Sequence, residues 1–216
     1  MTIPAPYLAV LRLLAALLTV TAVAATFLSS AERGTVNPFN FFGFFTVQAN
    51  LLAAAVLAGT AALTLLGRRV PAWLTLARAA TTAYLVVVGV VYNTLLTGVT
   101  GGVVLPWANI ALHVVLPIYC LVDWLLVADR GAEPWRRLWL VLVYPVLWTT
   151  VVLLRGATDG WVPYPFLDPV TGYESVAVYV ALIAVAFTAA GALVFGLSRL
   201  RLITVTGGTS GDRSRG

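Results

Sequence analysis

Six apolar runs, each close to the ~20 residues that a hydrocarbon layer requires, account for most of this chain. They cover 8–28, 42–66, 73–96, 105–127, 138–154 and 176–197. In lipid every backbone N–H and C=O must find its partner inside the protein, which leaves helices as the solution for runs of this length. The expected fold is therefore an all-α membrane protein: a six-transmembrane helix bundle over residues 1–203. A Gly/Ser/Arg-rich tail over 204–216 lacks apolar periodicity and is expected to be disordered. A chain that is 61% hydrophobic and only 10% charged is not an ordinary soluble domain.

Charge placement sets the expected orientation. All basic residues are arginines, and eleven of the thirteen flank the even-numbered connections and the two chain ends. Only Arg33 and Arg155 fall on the opposite side. This bias predicts that both termini are cytoplasmic, in a multi-pass protein of the cell membrane. The net charge of +5 is thus a topology signal, and no nucleic-acid partner is expected. One cysteine, Cys120, and one histidine, His113, supply too few ligands for a metal site, and no cofactor is expected.

That single histidine lies inside the run 105–127, where an ionisable group is costly and so marks a candidate site. Asn109 precedes it by one turn and shares its face. Pro117 follows by one turn and has no N–H to give the His113 carbonyl, so a bend and a free acceptor are expected there. In the second run Gly43, Thr46, Asn50 and Ala53 or Ala54 recur at helical spacing, a small and polar face that belongs inside a bundle. The run is expected to start at an N-cap on Asn40. Left to itself, Thr46 would bond its own helix backbone, as membrane threonines commonly do. Asn93 shares a face with Gly89 in the third run. Arg155 ends the fifth run, beside an outer loop, Gly-Trp-Val-Pro-Tyr-Pro-Phe-Leu-Asp, that closes on Asp168. Asp123, roughly 15 Å along the helix from His113, reads as an interface residue near the cytoplasmic end.

Asn50, Asn93, Asn109, Thr46, His113 and Arg155 all fall in the outer half of the expected bundle, which suggests a shared cavity. A hydroxyl and an imidazole are the minimum for nucleophilic acyl transfer, with Thr46 as nucleophile and His113 as base. Amides of Asn50, Asn93 or Asn109 could stabilise an oxyanion, and Arg155 could hold an acidic group of the substrate. Asp168, or a freed backbone carbonyl, is the available orienter for the imidazole.

The same residues resemble a known family. Phe44-Phe45-Thr46 with Gln48 and Asn50 is one match. Asn109, His113, Leu116, Pro117 and Asp123 form a second. Tyr144 and Trp148, followed by Trp161-Val162 and Tyr164-Pro165-Phe166-Leu167-Asp168, form a third. Together they resemble the bacterial six-pass Pr-six-Pr membrane proteins. More distantly they are similar to the androgen-induced and androgen-dependent membrane hydrolases of animals. The resemblance implies a threonine–histidine pair, Thr46 and His113, and cleavage of fatty acid esters of hydroxy fatty acids. The expected function is a membrane-embedded lipid ester hydrolase acting on a membrane lipid or fatty acyl ester. The alternative is a non-catalytic membrane protein that binds or transports a small amphiphile.

Overall fold

The computed structural model describes residues 2–96, 105–200 and 202–206. Among them are six helices long and apolar enough to cross a membrane: Ala5–Arg33, Phe45–Leu65, Ala72–Leu96, Pro106–Leu126, Trp135–Thr158 and Tyr173–Leu197. The apolar runs thus become helices, with ends set by local chemistry. The first, α1 (Ala5–Arg33), begins where Pro4 fixes an extended approach and stops before Gly34. Asn37, not Asn40, is the cap residue: its Oδ1 accepts from the Phe39 and Asn40 N–H groups and starts a one-turn helix, α2 (Pro38–Phe41). The proline after Asn37 favours this cap, because a missing N–H costs nothing in a first turn. The second long helix, α3 (Phe45–Leu65), therefore starts three residues later than the apolar run.

The third spanning helix is α4 (Ala72–Val91), continued by a π-helical turn over Tyr92–Leu96. The fourth consists of α5 (Pro106–Ile110), a second π turn (Ala111–Val115) and α6 (Leu116–Leu126). Then follow α7 (Leu140–Thr158), which holds Pro145 within its length, and α8 (Tyr173–Leu197). Helix α4 is the hub, packed against α3, α6 and α8, while α1 packs on α3. Its small residues Ala79 and Ala83 are fully buried, which lets neighbouring backbones come close.

The first and last described segments meet at one end of the bundle. Strands β1 (Thr2–Pro4) and β2 (Thr204–Thr206) pair in parallel, and Ile203 bonds to Leu126 and Ala128 at the end of α6. Thr204–Thr206 therefore sit in an ordered pairing where the sequence offered no reason for order; the remainder of the tail, 207–216, lies outside the described residues.

Just inside this end is a buried ion network that changes the reading of two spans. Arg12 is completely buried, although it was counted among the residues flanking a helix end. Its Nε and Nη2 donate to the two carboxylate oxygens of Asp123 at 3.1 Å each, and its Nη1 donates to Asp129 at 2.6 Å. Arg78 donates to both oxygens of the same Asp129, at 3.0 and 2.6 Å. Asp123 is thus an interior ion-pair partner, not an interface residue. Trp124 packs against the guanidinium groups of Arg78 and Arg130 and donates its indole N–H to Val194 O. Arg130 in turn donates to the carbonyls of Trp124 and Val127, which end α6. These contacts tie α1, α4, α6 and α8 together at the end that carries the termini.

Candidate functional site

At the opposite end, the first turn of α3 decides what Thr46 can do. Threonines elsewhere in the bundle give their hydroxyl to the carbonyl four residues back, as Thr19, Thr60, Thr82 and Thr188 do. For Thr46 that carbonyl belongs to Phe42, outside the helix, and it already accepts from Gln48 Nε2 at 2.8 Å. Gln48 is held in turn by the Tyr144 hydroxyl. The Thr46 hydroxyl instead faces the Tyr164 hydroxyl at 3.5 Å, a long contact in which either oxygen could donate. The Thr46 N–H, one of the orphan donors of a helix start, points to the same phenol oxygen at 3.4 Å. Sequence reasoning quoted Tyr164 for its motif and missed this contact.

Tyr164 arrives from the loop after α7, and several contacts hold that loop in place. Arg155 donates to Asp159 at 2.9 and 2.7 Å and to Asn40 Oδ1 at 2.7 Å, and its guanidinium lies 4.2 Å from the centroid of Trp161. Trp161 packs where a side chain on Gly43 would stand: a Cβ there would meet its Cη2 at 2.5 Å. Trp148 donates to the Gly43 carbonyl at 2.8 Å. Burial of the Tyr164 phenol pushes its pKa upward, so it is a neutral O–H donor at physiological pH. Asp168 does not approach His113. Its Oδ1 accepts from the Val170 N–H at 3.0 Å and starts a short helical turn in its own loop.

Thr46 and Tyr164 line a small cavity of ≈ 50 Å³. Its other walls are mainly apolar and come from α4, α7 and α8, among them Val87, Val91, Trp148, Ile183 and Phe187. Beneath Thr46 the rings of Phe45, Tyr84, Tyr144, Trp148 and Phe187 stand 5.2 to 6.0 Å apart, a stiff aromatic floor. Trp148 also lines a larger open groove of ≈ 730 Å³ between α2 and α7, whose rim carries Gln48, Arg155 and Asp159. One indole therefore borders both the open groove and the cavity.

His113 belongs to a second cluster. Its ring stacks on Tyr92 at 3.8 Å between centroids, and its Nδ1 lies 3.0 Å from the Asn109 carbonyl. A carbonyl only accepts, so Nδ1 carries the proton and Nε2 is left with its lone pair. The Asn109 side chain donates to the Tyr92 hydroxyl at 2.6 Å. Tyr92 was not singled out from the sequence, though it adjoins Asn93. The orienting carbonyl is that of Asn109, not Asp168 or the carbonyl freed by Pro117 that the sequence suggested. Asn93 donates to Gly89 O at 2.7 Å, at the outset of the first π turn.

Asn50 joins the two clusters. The π turn over Ala111–Val115 gives the Leu116 N–H to Ala111, five residues back, and Pro117 has no N–H to offer. The Leu112 carbonyl takes a donor from another helix: Asn50 Nδ2, at 3.3 Å. The same amide donates to the Thr46 carbonyl at 2.9 Å. Asn50 is fully buried, and its Oδ1 has no hydrogen-bond partner. Gly89 allows this arrangement, since a Cβ there would press on both His113 O and Pro117 at 3.3 Å. The structure thus brings Thr46 to Tyr164 and His113 to Tyr92 and Asn109, and links the two through Asn50. Arg155 and Asp168 stand with the loop.

The chain matches no family model, no curated protein and no solved structure.

Proposed function

We propose that the protein is a membrane-embedded lipid ester hydrolase of the cell membrane, with both termini cytoplasmic and the Thr46 site in the outer half. The observation that supports it best is the Thr46 hydroxyl, which escapes its own helix and opens on a mainly apolar cavity. Such walls suit the first few carbons of an acyl chain, and the ester carbonyl would then lie beside the hydroxyl. Thr46 Oγ1 attacks that carbonyl while His113 Nε2 takes the proton, directly or through one water. Collapse expels the alcohol, which takes the proton from the imidazolium. Water then attacks the acyl-threonine by the same route and releases the acid. The resemblance to the threonine–histidine membrane hydrolases supports the same pair, and fatty acid esters of hydroxy fatty acids are the substrate class it suggests. In this reading Arg155, which lines the open groove, would meet an acidic group of such a substrate.

The test is turnover of a lipid ester by purified protein in nanodiscs. Thr46→Ala and His113→Ala are expected to abolish turnover with folding retained, and Thr46→Ala also removes labelling by a fluorophosphonate probe. Equal turnover in wild type and both variants removes the hydrolase reading. A second reading is a carrier or binder of a small amphiphile. It is favoured by one contact: the direct partner of Thr46 is Tyr164, not His113. Saturable binding of a fluorescent fatty acid, unaffected by His113→Ala and with no ester turnover, would establish it.

A further inference from the structure

We propose that Tyr164 is a third catalytic group, whose phenol O–H donates to the oxyanion that forms when Thr46 attacks an ester. The inference rests on the hydrolase reading above. An attacking hydroxyl needs a donor aimed at the carbonyl oxygen, and such donors contribute more in a dry site than in water. The amides of Asn50, Asn93 and Asn109 were the candidates in the sequence. In the structure Asn50 gives both amide N–H bonds to the Thr46 and Leu112 carbonyls, while Asn93 and Asn109 each give one, to Gly89 O and to the Tyr92 hydroxyl. Tyr164 is the side chain whose hydroxyl reaches the Thr46 oxygen, at 3.5 Å, and it lines the same cavity.

The direction of its proton follows from the neighbouring contact. The phenol oxygen accepts the Thr46 N–H at 3.4 Å, so its own proton must point elsewhere: to Thr46 Oγ1 or into the cavity. When Oγ1 bonds to the carbonyl carbon, the C=O π pair moves to the carbonyl oxygen. The phenol then turns its proton from the threonine to that oxygen. No proton is transferred from Tyr164, and the hydrogen bond ends when the C–O bond to the alcohol breaks. Tyr164 is 9% exposed and stacks in parallel on Phe166 with centroids 5.3 Å apart, so the ring is held while its O–H rotates.

The experiment uses full-length protein in nanodiscs with p-nitrophenyl butyrate and p-nitrophenyl laurate as probes. Tyr164→Phe is expected to lower kcat on the order of 10²-fold with KM nearly unchanged, the pattern of an interaction made only in the transition state. A trifluoromethyl ketone, which forms a tetrahedral adduct with a nucleophilic hydroxyl, should bind Tyr164→Phe weaker by a similar factor. A merely structural role would not move that affinity apart from KM. Protease cutting of the loop over 159–172 is the control for loop displacement and should be the same in Tyr164→Phe as in wild type. Wild-type kcat in Tyr164→Phe beside an inactive Thr46→Ala overturns the role of Tyr164 and leaves the hydrolase reading standing. A loss of kcat in Tyr164→Phe accompanied by a rise in that cutting also overturns it, because the loop and not the hydroxyl would then matter. Activity that survives Thr46→Ala removes both proposals together.

Discussion

Replacing Arg12 with methionine tests the ion network at the termini end of the bundle. The change keeps an apolar stem of similar length and deletes a guanidinium that is completely buried. Three charge-assisted hydrogen bonds go with it, two to Asp123 and one to Asp129. The two acids are not affected equally. Asp129 keeps both bonds from Arg78. Asp123 loses both of its donors from Arg12 while only 6% exposed. Stranding one partner of a buried pair costs about 3–5 kcal/mol, whereas replacing both by apolar groups is often close to neutral. Arg12→Met should therefore lower the melting temperature in detergent on the order of 10 °C. Arg12→Met with Asp123→Leu should recover most of that loss. Arg12→Met with Asp129→Asn should not, because the stranded acid is Asp123. Tryptophan fluorescence during heating is a suitable assay, since Trp124 lies against Arg78 and Arg130. A single variant that melts within about 2 °C of wild type refutes the reasoning. So does a double Arg12/Asp123 variant that melts as low as the single one.

Two further outcomes follow from the same contacts. Gly43→Ala places a Cβ 2.5 Å from Trp161 Cη2 and 2.8 Å from the Phe39 carbonyl, so the loop bearing Tyr164 must shift, at about 1–3 kcal/mol. Protease cutting near 159–172 should rise, whereas Gly59→Ala, whose nearest neighbour would be 3.8 Å away, should leave cutting unchanged; equal cutting in both variants would sink the claim. Asp129, beside Arg78 and Arg12, has its carboxyl pKa held well below the usual range. A lowered folded-state pKa stabilises above the unfolded value of ~4, and that stabilisation is lost as pH falls through the folded value. The melting temperature of wild type should fall below about pH 4, and Asp129→Asn should begin lower at neutral pH and show a flatter acid limb; parallel pH profiles for the two would count against the pairing.

The six helices were legible because hydrocarbon imposes a length, and the apolar runs meet it. What lies between helices was much less so. Arg12 and Asp123 are 111 residues apart in sequence, and each alone resembles a charge reaching for an interface. The available clue was their pairing: an arginine in one span and an aspartate in another, each about one turn from the same end of the expected bundle. The bend at Pro117 was expected. The π turn before it was not, and the carbonyl that takes a donor from another helix is that of Leu112, not the one expected at His113. Asn50 was placed correctly on an inward face, but no periodicity states which backbone its amide will reach.

The availability of the Thr46 hydroxyl has a local cause that can be argued from position alone. One turn further into α3, a threonine would find a helical carbonyl four residues back and spend its proton there, as Thr60 does on Val56. At the second residue of the helix, the carbonyl four back belongs to the preceding turn, and Gln48, two residues on, has a side chain long enough to claim it. The pairing of a first-turn threonine with a glutamine two positions later therefore releases a hydroxyl and an N–H at the same point. A loop tyrosine that arrives there finds a donor and a hydroxyl together. The residue that makes Thr46 available is thus Gln48, which touches neither the cavity nor His113 and is held from the far side by Tyr144.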